Sequence, residues 1–422
     1  MAPASDAAGT PPLSGIRVLE LGQLIAGPFC ARLLADFGAD VIKVEPPGVG
    51  DTYRYLTRAV DSAGEIEGVD YLWQLTNRNK RGIALNLKSP GARAVLERLV
   101  KWADVLVTNF PPPTRAKLGL DYDQLAPLNP RLIYADITGF GEVGPDASAP
   151  GFDVTAYWAR TGLMDMMRDR GGPPAAGPFG SGDHPTAISL YAGIMTALYR
   201  REKTGQGSRV AGSLIAAGAW AAGCGIQAAL AGVKWVQPWE RINPPNALGN
   251  LYRTADDRWL VLAFANEDKQ FPPFLNAIGH PEAANDPRFK DSKSRHAHAA
   301  EISGLLDKVF ATRTLAEWRA LFDAAGLTYG VIQTVDEIAR DPQLIANQVL
   351  VPIAEGSDKP VLTIDSPVRI DQEQKVQPRP APKLGEHTES VLKELGFDAA
   401  GLEKLRAAGA IPDSPLPHTA AS

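Results

Sequence analysis

The sequence predicts an α/β protein, with an open parallel sheet in a large domain and a smaller α/β domain after it. Three observations carry this. Short apolar runs alternate with helical patterns through the first ~200 residues, the signature of strands joined by crossover helices. The first such unit, Ile16–Leu21, Ala26–Phe37 and Ala39–Glu45, is a complete β-α-β motif, which requires a right-handed parallel connection. From Val351 onward the chain turns Pro-punctuated and extended before two short helices, as expected of a segment returning to the first domain. The implied organisation is an N-terminal extension at 1–14, a large domain at 15–225, a small domain at 226–340 and a return segment with C-terminal helices at 341–422.

Pro28 stands in the first turn of the helix from Ala26, where its missing N–H is harmless. A second unit reads as strand Arg81–Leu87, helix Pro90–Trp102 and strand Asp104–Thr108, then Asn109-Phe110 and three prolines break the chain. Leu132–Thr138 is a further strand running into the Gly/Pro segment Gly139–Gly151. Between Gly171 and Gly182 fall five glycines and three prolines, which no ladder can cross. The helix that follows, Pro185–Arg201, shows Leu190, Ile194, Ala197 and Leu198 at helical spacing and stops at Gly205. Ala211–Ala231 reads as one Ala-rich helix and Trp235–Asn250 as irregular. In the small domain Trp259–Phe264 is a strand, and Ala300–Phe310 and Leu315–Ala325 are helices. Thr388–Leu395 and Ala399–Ala407 close the chain as helices.

Composition narrows the function classes. The 422 residues are 45% hydrophobic with net charge −5, which supports a sizeable core and argues against a general nucleic-acid binder. With only Cys30 and Cys224, neither a disulfide framework nor a cysteine metal site is expected. His296 and His298 lie in a polar, charged stretch and read as surface, so no metal is expected. The N-terminus lacks an apolar h-region and no run of 18 apolar residues occurs, so a soluble, cytoplasmic protein without membrane attachment is expected.

Several motifs carry chemistry. Asp183 lies between Gly182 and His184 at a loop-to-helix junction, where backbone N–H groups favour negative charge. It is either an N-cap or a nucleophile. Asp153, in PGFDV, either caps a helix from Val154 or pairs with Asp183 in acid–base work. Ile25-Ala26 and Asn109-Phe110 sit at strand C-termini, where open α/β sheets bind ligands. Arg78, Lys80 and Arg81 (NRNKRG) form a basic knot that, with Lys88, either meets phosphates or is a solvated turn. The first turn, GQLIAG, is not GxGxxG because Leu24 fills the second glycine position, which weakens Glu45 as a ribose-binding acid. Gly-x-Ser-x-Gly, P-loop and HExxH patterns are absent.

These residues together resemble the family III CoA-transferases, the group of formyl-CoA transferase and carnitine CoA-transferase. The resemblance runs from about Leu13 to Ile411. It rests on GIRVLELG and IAGPF, GADVIKVEPPG, NRNKRGIALNLK, ADVLVTNF, GLDYDQLAPLNPRLIYADITGFGEVGP, PGFDV, the GPP…GD…ALYRREKTGQG stretch and APKLGEHTESVLKELG. It implies a Rossmann-like large domain, a smaller α/β domain, and a homodimer whose two chains interlock. It implies a nucleophilic aspartate at Asp183, nine residues after Pro174. It further implies that coenzyme A is met at Ile25, Ala26, Leu85, Lys88, Asn109, Phe110, Lys117 and Asp153, with acyl-CoA and a free carboxylic acid as substrates and no permanently bound cofactor. An arginine that other members place after the KVE run is Pro46 here, which leaves the NRNKRG knot as the candidate for the nucleotide end. Formyl-CoA transferase's glycine run has no counterpart in NPPNALGN, where Gly249 stands alone. His184 resembles the GDH of transferases for phenyllactate-like and 2-hydroxyisocaproate-like acids, and is a candidate acceptor contact. The alternative activity on this fold is an α-methylacyl-CoA racemase, but its proton-shuttling histidine is Phe152 here.

Overall fold

The computed structural model describes residues 10–56, 70–233, 239–353, 362–371 and 373–413. Most of the N-terminal extension and the start of the irregular stretch at Trp235 lie outside the described residues. The chain divides into two compact units, one of residues 1–164, 176–233 and 342–422, the other of 165–175 and 234–341.

The first unit is built on a six-stranded parallel sheet. Its strands are β1 (Arg17–Leu21), β2 (Asp40–Glu45), β3 (Arg81–Ala84), β4 (Val105–Thr108), β5 (Ile133–Thr138) and β6 (Ser208–Ser213), in the order 3-2-1-4-5-6. This is the Rossmann-like order, and its direction reverses between β1 and β4. Apolar residues cover both faces, as a parallel sheet between helix layers requires. One face buries Val18, Val105 and Ile133 against helix α1 (Ala26–Asp36). The other buries Leu19, Ile42 and Leu106 against α3 (Ala92–Trp102), with α2 being Tyr71–Asn77. Helix α4 (Pro112–Leu118) follows β4, and α5 (Asp183–Thr204) packs along α1 and leads into β6.

The sixth strand corrects the sequence reading, which began a helix at Ala211. Ser208–Ser213 instead pairs residue for residue with β5, and helices α6 (Leu214–Ala221) and α7 (Gly223–Leu230) follow it. The strand is hard to read because it is a sheet edge of small residues, and its charged Arg209 is fixed by a two-pronged bond to Asp136 at 2.9 and 3.2 Å.

The return segment completes this unit. Val376 donates to Asp36 O, Ala381 to Gln74 Oε1, and Trp73 Nε1 donates to Pro382 O. The C-terminal helices at Thr388–Glu394 and Ala399–Ala407 bury Val391, Leu392, Leu402 and Leu405 against the α3 face.

The second unit carries an antiparallel sheet of Leu251–Arg253, Trp259–Leu262 and Tyr329–Val331, covered by helices Glu267–Ala277, Ala299–Phe310 and Leu315–Ala324. Phe274, Phe310, Trp318 and Phe322 form its aromatic core. Helix Glu267–Ala277 escapes a sequence reading because Pro272 and Pro273 sit inside it. No helix among the described residues is long and apolar enough to cross a membrane.

Candidate active site

In a sheet of this order, the crevice opens at the C-terminal ends of β1 and β4, where the strand order reverses. Two loops wall it. After β1, Gly22–Ile25 leads into α1; after β4, Asn109–Pro111 leads into α4. The Asn109 side chain joins them, accepting from Gln23 N at 2.9 Å and donating to Gln23 O at 2.7 Å. A β-carbon at Gly27 would come within 3.1 Å of that side chain, so glycine leaves this tight approach unstrained.

Asp183 stands beside this crevice. It is the first residue of α5, and Gly182 is the N-cap, so the carboxylate does not cap its own helix. The N-terminus of α5 meets α1 directly. The ring of His184 lies 4.3 Å from that of Phe29, tilted by 30°. Ile25 Cδ1 comes within 3.2 Å of where a side chain on Gly180 would begin.

Asp153 approaches from the segment after β5. It opens a π-helical turn, Asp153–Ala159, whose N-cap is Phe152, so it too is not a cap. Such turns concentrate at functional sites. Asp153 Oδ2 accepts from Gly182 N at 3.3 Å, while Oδ1 is buried with no hydrogen-bond partner. A β-carbon on Gly182 would overlap Asp153 Oδ1 and the Tyr157 ring. The two carboxylates are thereby held close.

The electrostatics follow from that proximity. No donor among the described residues bonds the Asp183 carboxylate. Burial, and then the charge of Asp153, push its carboxyl up to about 7. The helix N-terminus favours the anion by only ~0.3–1 kcal/mol, which does not offset desolvation. Burial also raises Asp153, against the backbone N–H groups of Gly182 and Gly180. His184 moves the other way: burial, and then the Arg32 guanidinium, lower it to about 4, so its ring is neutral at physiological pH. Tyr53, fully buried, has its phenol pushed up to about 12 by burial, with the Asp183 charge contributing. Tyr53 and Phe29 were not singled out in the sequence, although Tyr53 follows the Gly50-Asp51 turn closely.

The other candidates follow the sheet strands in the chain. Ile25 and Ala26 follow β1, Leu85 and Lys88 follow β3, Asn109, Phe110 and Lys117 follow β4, and Asp153 follows β5. Lys88 and Lys117 are exposed. Leu85 is buried in the core, with its backbone N–H bonded to Glu45 O at 2.8 Å. Ile25 and Ala26 are buried, and Phe110 is half-buried.

The basic knot is neither a phosphate site nor a solvated turn. Arg78 is fully buried and pairs with Asp36 at 2.9 Å while donating to Thr363 Oγ1 and Ile364 O. Lys80 is buried against Glu20 at 2.7 Å, and Arg81 joins Asp40 to Glu394. Arg78 and Arg81 staple the C-terminal part of the chain to the sheet, Lys80 ties β1 to the first turn of α1, and all three are committed to protein partners. Glu45 is likewise taken, by both Arg54 nitrogens at 2.7 Å.

Comparison with known proteins decides the family. The profile of CoA-transferase family III matches residues 13–388. The chain belongs to CoA-transferase family III. It is 35% identical over 386 residues to (R)-2-hydroxy-4-methylpentanoate CoA-transferase of Clostridioides difficile, covering 92% of this chain and 96% of that one. It is 33% identical to cinnamoyl-CoA:phenyllactate CoA-transferase of Clostridium sporogenes, over 93% and 95% of the two chains. Among solved structures, a CAIB/BAIF family protein from Brucella suis superposes with a TM-score of 0.81 at 30% identity, over 92% of this chain and all of that one. The protein is therefore a CoA-transferase whose substrates are CoA thioesters and carboxylic acids.

Proposed function

We propose that this enzyme moves CoA from an acyl-CoA to a free carboxylic acid through covalent intermediates on Asp183. The observation that carries the reading is the Asp183 carboxylate: at the crevice, without a hydrogen-bond donor, desolvated, and raised to about 7. A carboxylate stripped of hydration is a better nucleophile than one in water, and fixing it near the thioester lowers the barrier further, on the order of 7–11 kcal/mol at best.

The steps balance as follows. Asp183 Oδ attacks the donor thioester carbonyl, forming a mixed anhydride and expelling CoA thiolate. The thiolate attacks the aspartyl carbonyl, giving an enzyme–CoA thioester and releasing the donor acid. The acceptor carboxylate attacks that thioester, forming a second anhydride and again freeing the thiolate. The thiolate then attacks the acceptor carbonyl, producing the new acyl-CoA and restoring Asp183. No net proton moves, so a separate base is unnecessary. Exclusion of water protects the anhydrides, and the apolar Ile25 and Phe29 beside the site suit that task. Ile25, Ala26, Leu85, Lys88, Asn109, Phe110, Lys117 and Asp153 are assigned to CoA binding, with Lys88 and Lys117 as the exposed cations for its phosphates.

His184 supports a 2-hydroxy acid as acceptor. Its neutral ring can exchange hydrogen bonds with an uncharged hydroxyl, and the two transferases named above carry 2-hydroxy acids in their names. We further propose an interlocked homodimer. Trp220 is 89% exposed and Leu230 76% exposed on the Ala-rich helices α6 and α7, apolar surface that a second copy would cover. The testing experiment incubates the enzyme with succinyl-CoA or acetyl-CoA and a panel of aromatic, 2-hydroxy and dicarboxylic acids. New CoA esters of 2-hydroxy acids are expected. Thioester hydrolysis alone, or α-proton exchange in a 2-methylacyl-CoA without transfer, would contradict the reading.

A further inference from the structure

The loop that walls the crevice after β1 holds a leucine in a glycine conformation. Leu24 has φ of 62°, in the left-handed region that crowds the β-carbon of an L-residue. Such a residue persists only where its surroundings over-determine it, and it marks a place where local geometry matters.

The surroundings here are buried charges. Asp51 Oδ1 accepts from Leu24 N at 3.0 Å and from Tyr53 N at 3.0 Å. Its Oδ2 lies 2.9 Å from Lys43 Nζ. Lys43 in turn donates to Gly22 O at 2.9 Å and pairs with Glu20 at 2.7 Å. Glu20 also pairs with Lys80, which donates to Pro28 O in the first turn of α1 at 2.7 Å. Glu20, Lys43 and Asp51 are completely buried. A buried ion cluster contributes little net stability beside an apolar replacement of the same volume, but it can select one conformation sharply. This one touches the loop backbone at Gly22, Leu24 and Pro28.

We propose that Asp51 is a positioning residue for the transfer reaction. It holds Leu24 left-handed and so fixes where Ile25 and the first turn of α1 stand against Asp183. The proposal rests on the CoA-transfer reading. Its consequence runs through contacts already described: Ile25 faces Gly180, and the Phe29 ring packs against that of His184. A relaxed Leu24 would displace Ile25 and Phe29 on the α1 side of the site while leaving the nucleophile itself intact.

The test is a double-mutant cycle with Asp51→Ala and Leu24→Gly. Asp51→Ala is expected to raise KM for the CoA ester, and the dissociation constant of free CoA by calorimetry, by about tenfold, the scale of releasing one left-handed residue. The turnover number should change less than threefold. Adding Leu24→Gly makes the left-handed turn accessible without the carboxylate, so the double variant should recover most of the lost affinity. A merely structural Asp51 would lower thermal stability with no recovery by glycine. Asp51→Leu, which is close in shape but has no acceptor for Leu24 N, replaces the alanine variant if that does not fold. A folded Asp51 variant with unchanged KM, or a double variant no better than the single, would overturn the proposal. Wild-type enzyme that neither binds CoA nor transfers it would instead overturn the functional reading, and the positioning role with it.

Discussion

Replacing Asp183 by asparagine should destroy transfer and stabilise the fold, and the two effects should share one pH signature. The side chain keeps its size but loses its charge and nucleophilic oxygen. A carboxyl raised to about 7, against about 3.9 in an unfolded chain, makes the ionised native state less stable by ~4 kcal/mol in the unscreened limit. Water reaches this half-buried group, so about 1–2 kcal/mol is the expected surplus for Asp183→Asn at pH 8. The helix dipole subtracts ~0.3–1 kcal/mol of favourable interaction and does not reverse the sign. Because the folded pKa lies above the unfolded one, wild type loses stability through this group as pH rises from about 4 to about 7. At pH 5 the surplus should therefore be smaller than at pH 8. Thermal unfolding of both proteins at the two pH values measures it, with a shift of roughly 2–4 °C expected at pH 8. Wild-type turnover should rise with pH through about 7 as the pair with Asp153 ionises. An asparagine variant less stable than wild type at pH 8, or one equally stabilised at pH 5 and pH 8, would refute the desolvated-carboxylate argument.

His184→Ala should raise the KM of a 2-hydroxy acid acceptor by roughly 2- to 12-fold, the loss of one neutral hydrogen bond, with less effect on the donor KM; initial rates with each substrate varied in turn check this. Because burial holds His184 near 4, it should add no inflection to the rate profile between pH 5.5 and 8. Gly182→Ala places a β-carbon against Asp153 and Tyr157, so it should lower stability by about 1–3 kcal/mol and depress turnover together, read by denaturant unfolding and by rates. Light scattering at micromolar concentration should find a dimer, and Trp220→Asp on the exposed helix should weaken it.

The parallel sheet was legible because each strand is an apolar run with a helix between it and the next, a pattern set by burial on both faces. The sixth strand was not, since an edge of small residues beside an Ala-rich helix carries no periodic signal. Asp183 could be located at a loop-to-helix junction from its glycines alone. The nucleophile role at Asp183 came from the family resemblance; that Gly182 rather than Asp183 is the cap, and that Asp153 approaches from 30 residues away in sequence, only folding brings about. The basic knot shows the opposite failure. Arg78, Lys80 and Arg81 look like phosphate ligands in one dimension, but their partners Asp36, Glu20 and Glu394 come from three other elements. Leu24 is the same lesson at backbone level: its left-handed turn depends on a carboxylate 27 residues further on.

The central claim is that CoA becomes covalently attached to Asp183 during turnover. The direct measurement is peptide mapping by mass spectrometry after rapid quenching with acyl-CoA and no acceptor, with hydroxylamine treatment in parallel. The expected result is a CoA thioester on the peptide containing Asp183, cleaved by hydroxylamine and absent from Asp183→Asn. An active enzyme that carries its adduct on another residue, or transfers CoA with no adduct at all, would contradict the account.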